Sequence, residues 1–95
     1  MYTTVIEAAR DGSLQDVKRL VANGYSVNAI NMYGDTSLHY AAYNGHDAIV
    51  EFLVSNGANV NAINLEGETP LDWAARNSRT DIIEYLEGAA RPISM

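Results

Sequence analysis

The chain has no cysteine, only two prolines, and a single Trp and a single Phe. Without cysteine, disulfides, thiolate metal sites and a cysteine nucleophile are excluded together. Nothing then points to an oxidising compartment, and a cytoplasmic location is the default expectation. No stretch approaches the ~18 consecutive apolar residues of a membrane helix. The opening Met1-Tyr2-Thr3-Thr4 has no basic segment followed by an apolar run, so no secretory signal is expected. Cations are scarce and unevenly placed. Between Arg19 and Arg76 there is no Lys or Arg, while Asp35, Asp47, Glu51, Glu66, Glu68 and Asp72 fall in that stretch. A nucleic-acid surface needs cationic side chains to displace counterions from phosphates. An anionic membrane surface needs them too. Neither is expected as a partner.

What is present is a folding composition: 47% hydrophobic and 19% charged residues, with a net charge of −6. Ninety-five residues make at most one domain, and its stability margin is thin.

The sequence overlays itself at a shift of 33. Ala8-Ala9 falls on Ala41-Ala42 and then on Ala74-Ala75. Asn23-Gly24 falls on Asn56-Gly57, and Val27-Asn28-Ala29-Ile30 on Val60-Asn61-Ala62-Ile63. Residues 1–30 share 13 of 30 identities with 34–63, and residues 31–57 share 10 of 27 with 64–90. Unrelated pairs of this length would share roughly one or two, so one repeat unit is present in three copies. The divisions expected are about 1–30, 31–63 and 64–91.

Each unit carries the same local instructions. Gly34 and Gly67 sit where a tight turn needs positive φ. Thr36 and Thr69 then stand at a helix N-cap, where the hydroxyl accepts an orphan N–H. Pro70 occupies the first helical position, and Asp72, three after Thr69, completes a capping-box pattern. The spacing predicts short helices over 38–44 and 71–77. Gly45 ends the first of these, and a second helix follows through Ile49, Val50, Phe52, Leu53 and Val54. Its counterpart in the first unit is opened by Ser13, with Asp16 three later as a second capping-box pattern. Asn23-Gly24 and Asn56-Gly57 are stop signals. The unit reads as helix, turn, helix, projecting loop.

One such pair cannot bury its apolar face alone, whereas three in register share a continuous core. The outer units read as caps. The first lacks a loop ahead of its helix. In the last, Glu87 replaces Val54, Asp81 replaces Ala48, Ala90 replaces Gly57, and Arg91-Pro92 ends the pattern. Three repeats are therefore expected to form one domain.

These residues resemble the ankyrin repeat. The resemblance rests on Gly34-Asp35-Thr36-Ser37-Leu38-His39-Tyr40-Ala41-Ala42, Gly45-His46, Ile49-Val50, Leu53-Val54 and Gly57-Ala58-Asn59-Val60-Asn61, and it extends over residues 3–90. The departures are Ser37 for Pro, Asp72 for His, and Ser78-Arg79 for Gly-His, the last expected to loosen the final inter-helix turn. The resemblance implies an all-α solenoid of stacked helix-turn-helix pairs with β-hairpin-like projecting loops. It implies a module that binds a partner protein through its loop tips and the concave face of its first helices, with no enzymatic activity and no cofactor.

Carried over by position, the loop tips are Met32, Tyr33 and Asp35, then Leu65, Glu66 and Glu68. The exposed face of the first helix is Glu7, Arg10 and Asp11 in the first repeat, Tyr40, Tyr43 and Asn44 in the second, and Trp73, Arg76 and Asn77 in the third. Residues three and four apart share a helix face. Tyr, Trp and Arg are enriched at interface hot spots. Tyr40 and Trp73 either pack against a neighbouring repeat or contact a partner, and both readings stay open. Asp35, Glu66 and Glu68 form an acidic fringe that favours a partner with Lys or Arg at its rim. A monomer is expected, with a self-associating stack as the alternative.

Other chemistry is poorly supported. His39 and His46 lack a third ligand for a metal, and the resemblance makes both structural, bonded to loop backbone. Ser37 with His39 implies no oxyanion arrangement, and the glycines are isolated turn residues rather than a phosphate loop. Asn28 and Asn61 fit side-chain amides that satisfy turn backbone. In eukaryotes the resemblance also makes that place a substrate for asparaginyl hydroxylation.

Overall fold

The computed structural model describes residues 2–90. Six helices follow one another: α1 (Val5–Asp11), α2 (Leu14–Ala22), α3 (Ser37–Tyr43), α4 (Asp47–Ser55), α5 (Pro70–Arg76) and α6 (Thr80–Ala90). They form three antiparallel pairs. The first helices α1, α3 and α5 pack in one row, and α2, α4 and α6 in a second. No strand occurs among the described residues; the projecting loops carry one antiparallel bridge, Ile30 opposite Thr36. Arg91-Pro92, expected to end the pattern, lies outside the described residues.

The local signals act largely as expected. Thr36 and Thr69 are extended N-caps, and each makes a complete capping box, with His39 and Asp72 as the returning side chains. Because the threonines are caps, Ser37 and Pro70 are the first helical residues. Both helices thus start and end one residue earlier than the spacing predicts, and Asn44 and Asn77 become C-caps. The box expected at Ser13 is incomplete. Ser13 N–H is already bonded to Ala8 O at 2.9 Å. The Asp16 carboxylate instead takes the Ser13 hydroxyl at 2.6 Å and Arg19.

The core is one seam between the two rows. Ala8, Ala9, Ala41, Ala42 and Ala74 are fully buried where the first helices meet. Leu38, Ile49, Val50, Leu53, Ile82 and Leu86 fill the space towards the second row. Ala75, next in the alanine series, is exposed, with no further helix covering it among the described residues.

Side chains also staple each repeat to the one before. Asn44 Nδ2 and His46 Nε2 both donate to Arg10 O, each at 3.0 Å. One repeat later Asn77 Nδ2 and Arg79 Nε donate to Tyr43 O at 2.9 and 3.1 Å. Arg79 thus does the work of His46, and the Ser78-Arg79 departure leaves the staple in place. The ring and the guanidinium lie directly over glycine: a Cβ would sit 2.7 Å from His46 Cε1 at Gly12, and 2.8 Å from Arg79 Cζ at Gly45. Gly45 has φ 75°, and Ser78, its counterpart, is the one non-glycine residue with positive φ among those described, at 55°.

That difference makes Ser78 a strained site. The left-handed region costs an L-residue ~1–2 kcal/mol, against ~0.4–1 kcal/mol for the added unfolded-chain entropy of glycine. Ser78→Gly is therefore expected to stabilise the chain by about 0.5–1 kcal/mol. Thermal melts should show a rise of a few degrees; an unchanged or lower midpoint would contradict the strain.

Candidate functional site

Each projecting loop is organised by one asparagine. Asn31 Oδ1 accepts Tyr33 N–H at 2.9 Å and Asp35 N–H at 3.0 Å. Asn64 Oδ1 likewise accepts Glu66 N–H at 3.0 Å and Glu68 N–H at 2.9 Å. These amides hold the turns closed, as short polar side chains do in Asx turns. The two loops then join through Leu65 N–H to Tyr33 O at 3.0 Å.

A chain of side-chain bonds runs beneath the tips. Asn31 Nδ2 donates to Tyr40 OH at 3.2 Å, and Tyr40 OH donates to Asp35 Oδ2 at 2.9 Å. Asn64 Nδ2 donates to both Asp35 Oδ1 and Glu68 Oε1, each at 2.9 Å. Glu68 also accepts Trp73 Nε1–H at 3.1 Å and pairs with Arg76. Burial and the bond to Asp35 push the Tyr40 phenol above its ordinary value.

This corrects the acidic fringe expected from the sequence. Asp35 is 4% exposed and faces inward rather than standing at a loop tip. The Glu68 carboxylate is largely covered and paired with Arg76. Of the three acids only Glu66 is exposed. Asn44 and Asn77 also depart from expectation, since their amides are committed to the backbone of the preceding repeat.

His39 ties the second repeat to the third. It is fully buried, accepts Thr36 N–H at Nδ1 (3.1 Å) and donates from Nε2 to Glu68 O (2.8 Å). That pattern requires the neutral ring with its proton on Nε2. Burial lowers its pKa, opposed by the nearby charges of Asp35 and Asp72.

Against this frame the rings converge. Trp73 meets His39, Tyr40 and Tyr43 edge-on, with centroids 5.1, 5.1 and 5.9 Å apart. Tyr40, Tyr43, Trp73 and Arg76 line a shallow cup of about 290 Å³ on the face of the first helices. Tyr40 and Trp73, left open by the sequence, are half-buried and bonded into the network; Tyr43 is 37% exposed. Glu7, Arg10 and Asp11 lie on the same row at its N-terminal end. There Glu7 turns back to Thr3 and Thr4, and Arg10 pairs with Asp11.

The tips themselves are apolar. Met32 is 80% exposed, Leu65 79% and Tyr33 61%. Ile30 and Ile63, each 65% exposed, belong with them and were not singled out from the sequence. The available signal was an isoleucine repeated outside any helix. Asn28 bridges repeats, donating to Gly57 O at 3.1 Å and accepting Asn59 N–H at 2.8 Å. No group of three His, Cys, Asp or Glu residues among those described could hold a metal ion. No helix among them is long and apolar enough to cross a membrane.

Two outcomes test the network. Because the folded pKa of His39 lies below the unfolded value of ~6.5, the unfolded chain takes up the proton first and stability is lost as pH falls through that region. Urea unfolding at successive pH values should show this decline well above the carboxylate range; a flat profile between pH ~7 and ~5 would contradict the buried neutral ring. Asn64→Asp replaces the shared amide donor with a third carboxylate. It should cost about 1–3 kcal/mol near neutral pH, and less in acid, where the carboxylates protonate.

A family model described as Ankyrin repeats (3 copies) matches residues 5–92. No curated protein matches the chain significantly. Ankyrin repeats are in general protein-protein interaction modules, typically without catalytic activity. Paired helices in two rows, threonine-capped first helices and inter-repeat staples agree with that match, and the chain belongs to the ankyrin repeat family.

Proposed function

We propose that this chain binds a partner protein through the loop tips Met32, Tyr33 and Leu65, with Glu66 beside them, and through the cup of Tyr40, Tyr43, Trp73 and Arg76. The observation that carries the reading is apolar surface on a fixed frame. Large apolar side chains at the tips are more than half exposed, yet the backbone behind them is held by Asn31, Asn64 and the loop-to-loop bond. A surface fixed in advance loses little conformational entropy on binding. Tyr and Trp add contact area with few rotors to freeze. Glu66 and the absence of cations between Arg19 and Arg76 favour a partner with Lys or Arg at its rim. The three repeats act as one domain.

A second reading, self-association, is favoured by one observation: Ala75 is exposed among the described residues where Ala9 and Ala42 are fully buried. Light scattering across a concentration series separates the two, since a constant monomer mass removes self-association.

For the leading reading, Tyr33→Ala and Tyr43→Ala together should sharply weaken partner capture from the source cell. Exposed positions of this kind usually change stability by only about 0.5 kcal/mol, and the edge contact of Tyr43 with Trp73 adds ~0.5–1.5 kcal/mol. The fold should therefore survive, with its thermal midpoint lowered by a few degrees. Retention of every partner by the double variant would reject the surface.

A further inference from the structure

Three asparagines are followed directly by glycine: Asn23-Gly24, Asn44-Gly45 and Asn56-Gly57. Such a pair carries a reaction of its own. The glycine amide nitrogen can attack the asparagine Cγ and close a five-membered ring, because glycine has no Cβ to block the approach. All three asparagines are helix C-caps, of α2, α3 and α4. Helix ends open locally at little cost, so the backbone rotation that the ring needs is within reach at each. Sequence ranks the three equally, and only their surroundings separate them.

Two of the three are held by neighbours. Asn44 Nδ2 donates to Arg10 O at 3.0 Å, and the Arg79 guanidinium covers Gly45, its Cζ 2.8 Å from where a Cβ would sit. Asn56 Nδ2 donates to Phe52 O at 2.8 Å. The peptide after it is clamped as well. Gly57 O accepts from Asn28 Nδ2 at 3.1 Å, and Asn28 Oδ1 accepts Asn59 N–H at 2.8 Å. Asn23 differs at each point. It is exposed, and its side-chain amide makes no hydrogen bond among the described residues. None of their side chains bonds to Gly24 O, and the space beside Gly24 is open to 4 Å. What the reaction must break there is the turn bond from Gly24 N–H to Val21 O at 3.0 Å, which Gly57 also has, to Val54 O at 3.1 Å.

We propose that Asn23 is a site of spontaneous deamidation, and the preferred one of the three. Gly24 N gives up its proton to base and bonds to Asn23 Cγ, while Nδ2 takes up a proton and leaves as ammonia. Water then opens the succinimide at either C–N bond and leaves aspartate or isoaspartate. Only water is consumed, and nothing is oxidised or reduced. Each event puts a carboxylate at the C-terminal end of α2, where the helix dipole disfavours negative charge. Isoaspartate also lengthens the main chain by one carbon just before Tyr25, whose N–H bonds to Leu20 O at 3.1 Å. The product is more acidic and less firmly capped at α2. Asn23 ends a helix of the second row, so the site stands apart from the cup and does not depend on the binding reading.

The folded full chain, kept for weeks at body temperature and mildly alkaline pH, is sampled by ion exchange and by peptide mapping with mass spectrometry. Conversion at Asn23 should run roughly 5–30-fold faster than at Asn56, the factor that two ordinary hydrogen bonds supply. It should outpace Asn44 as well. In urea the three rates should converge, which assigns the difference to the fold. Asn23→Gln, which would need a six-membered ring, should keep the thermal midpoint and remove the leading acidic species. Asn28→Ala should raise the rate at Asn56 towards that at Asn23. Native conversion at Asn44 or Asn56 as fast as at Asn23, a leading acidic species that persists in Asn23→Gln, or an Asn56 rate unmoved in Asn28→Ala would each overturn the proposal.

Discussion

Alanine sets the distance at which everything else in the chain is built. Ala8, Ala9, Ala41, Ala42 and Ala74 are fully buried along the row of first helices. A methyl group is the smallest side chain that still favours a helix, and small side chains at the contact let packed helices approach closely. The staples need that closeness. Asn44 and Asn77 reach carbonyls of the preceding repeat through a two-carbon side chain, and His46 and Arg79 rest on glycines with no room for a Cβ. The loops, held on those helices, can then share a backbone bond between Leu65 and Tyr33. A bulkier residue in the alanine row would part the helices, and the short amides would lose their acceptors.

The loops invert the usual arrangement of polar and apolar groups. Asp35, Asn64 and His39 are buried, while Met32, Leu65, Ile30 and Ile63 stand in solvent. Burying a carboxylate is costly unless its lone pairs are matched. Asp35 is matched by Tyr40 and Asn64, and Glu68 by Asn64, Trp73 and Arg76. The Asn64 amide is central because it lends one donor group to two anions without adding a charge. No buried side-chain nitrogen or oxygen lacks a partner among the described residues. Satisfied networks of this kind give rigidity and a unique geometry, and here the rigid part lies directly behind the apolar tips.

Much of this was legible in the sequence because its cause is local. Thr36, Thr69, Pro70 and Gly45 act on their own backbone, so the caps and turns follow from spacing. The 33-residue shift supplies the stacking. What escaped depends on which side chains meet in space. Asp35 read as a loop-tip acid because its partner Asn64 belongs to the next repeat's loop, and Glu68 because spacing alone does not show that Asn64, Trp73 and Arg76 of its own repeat all turn towards it. Asn44 and Asn77 share a helix face with Tyr40 and Trp73 by spacing, but each sits at a C-cap, where the side chain turns towards the neighbouring repeat. Ile30 and Ile63 carry no local sign of exposure, since identity between repeats suits a scaffold residue equally well. A repeated residue is one that occupies the same environment twice, and that environment can be solvent. At Ser13 the rule for a capping box met a backbone N–H already bonded to Ala8.

Charge and contact surface are divided between the two rows of helices. Asp47, Glu51, Asp81, Glu84 and Glu87 lie on α4 and α6 and make no ion pair among the described residues. On the loops and first helices both arginines are paired, Arg10 with Asp11 and Arg76 with Glu68. The net charge of −6 therefore acts chiefly as a field over the molecule. Such a field speeds the approach of cationic molecules and is weakened by salt. It also sets like charge against like when two copies meet through their second helices. Under the proposed reading, residence on the surface depends instead on rings and aliphatic tips, which salt screening does not weaken. Rate of encounter and lifetime of a complex would then be governed by different residues on different faces, and each could change without disturbing the alanine seam that holds both.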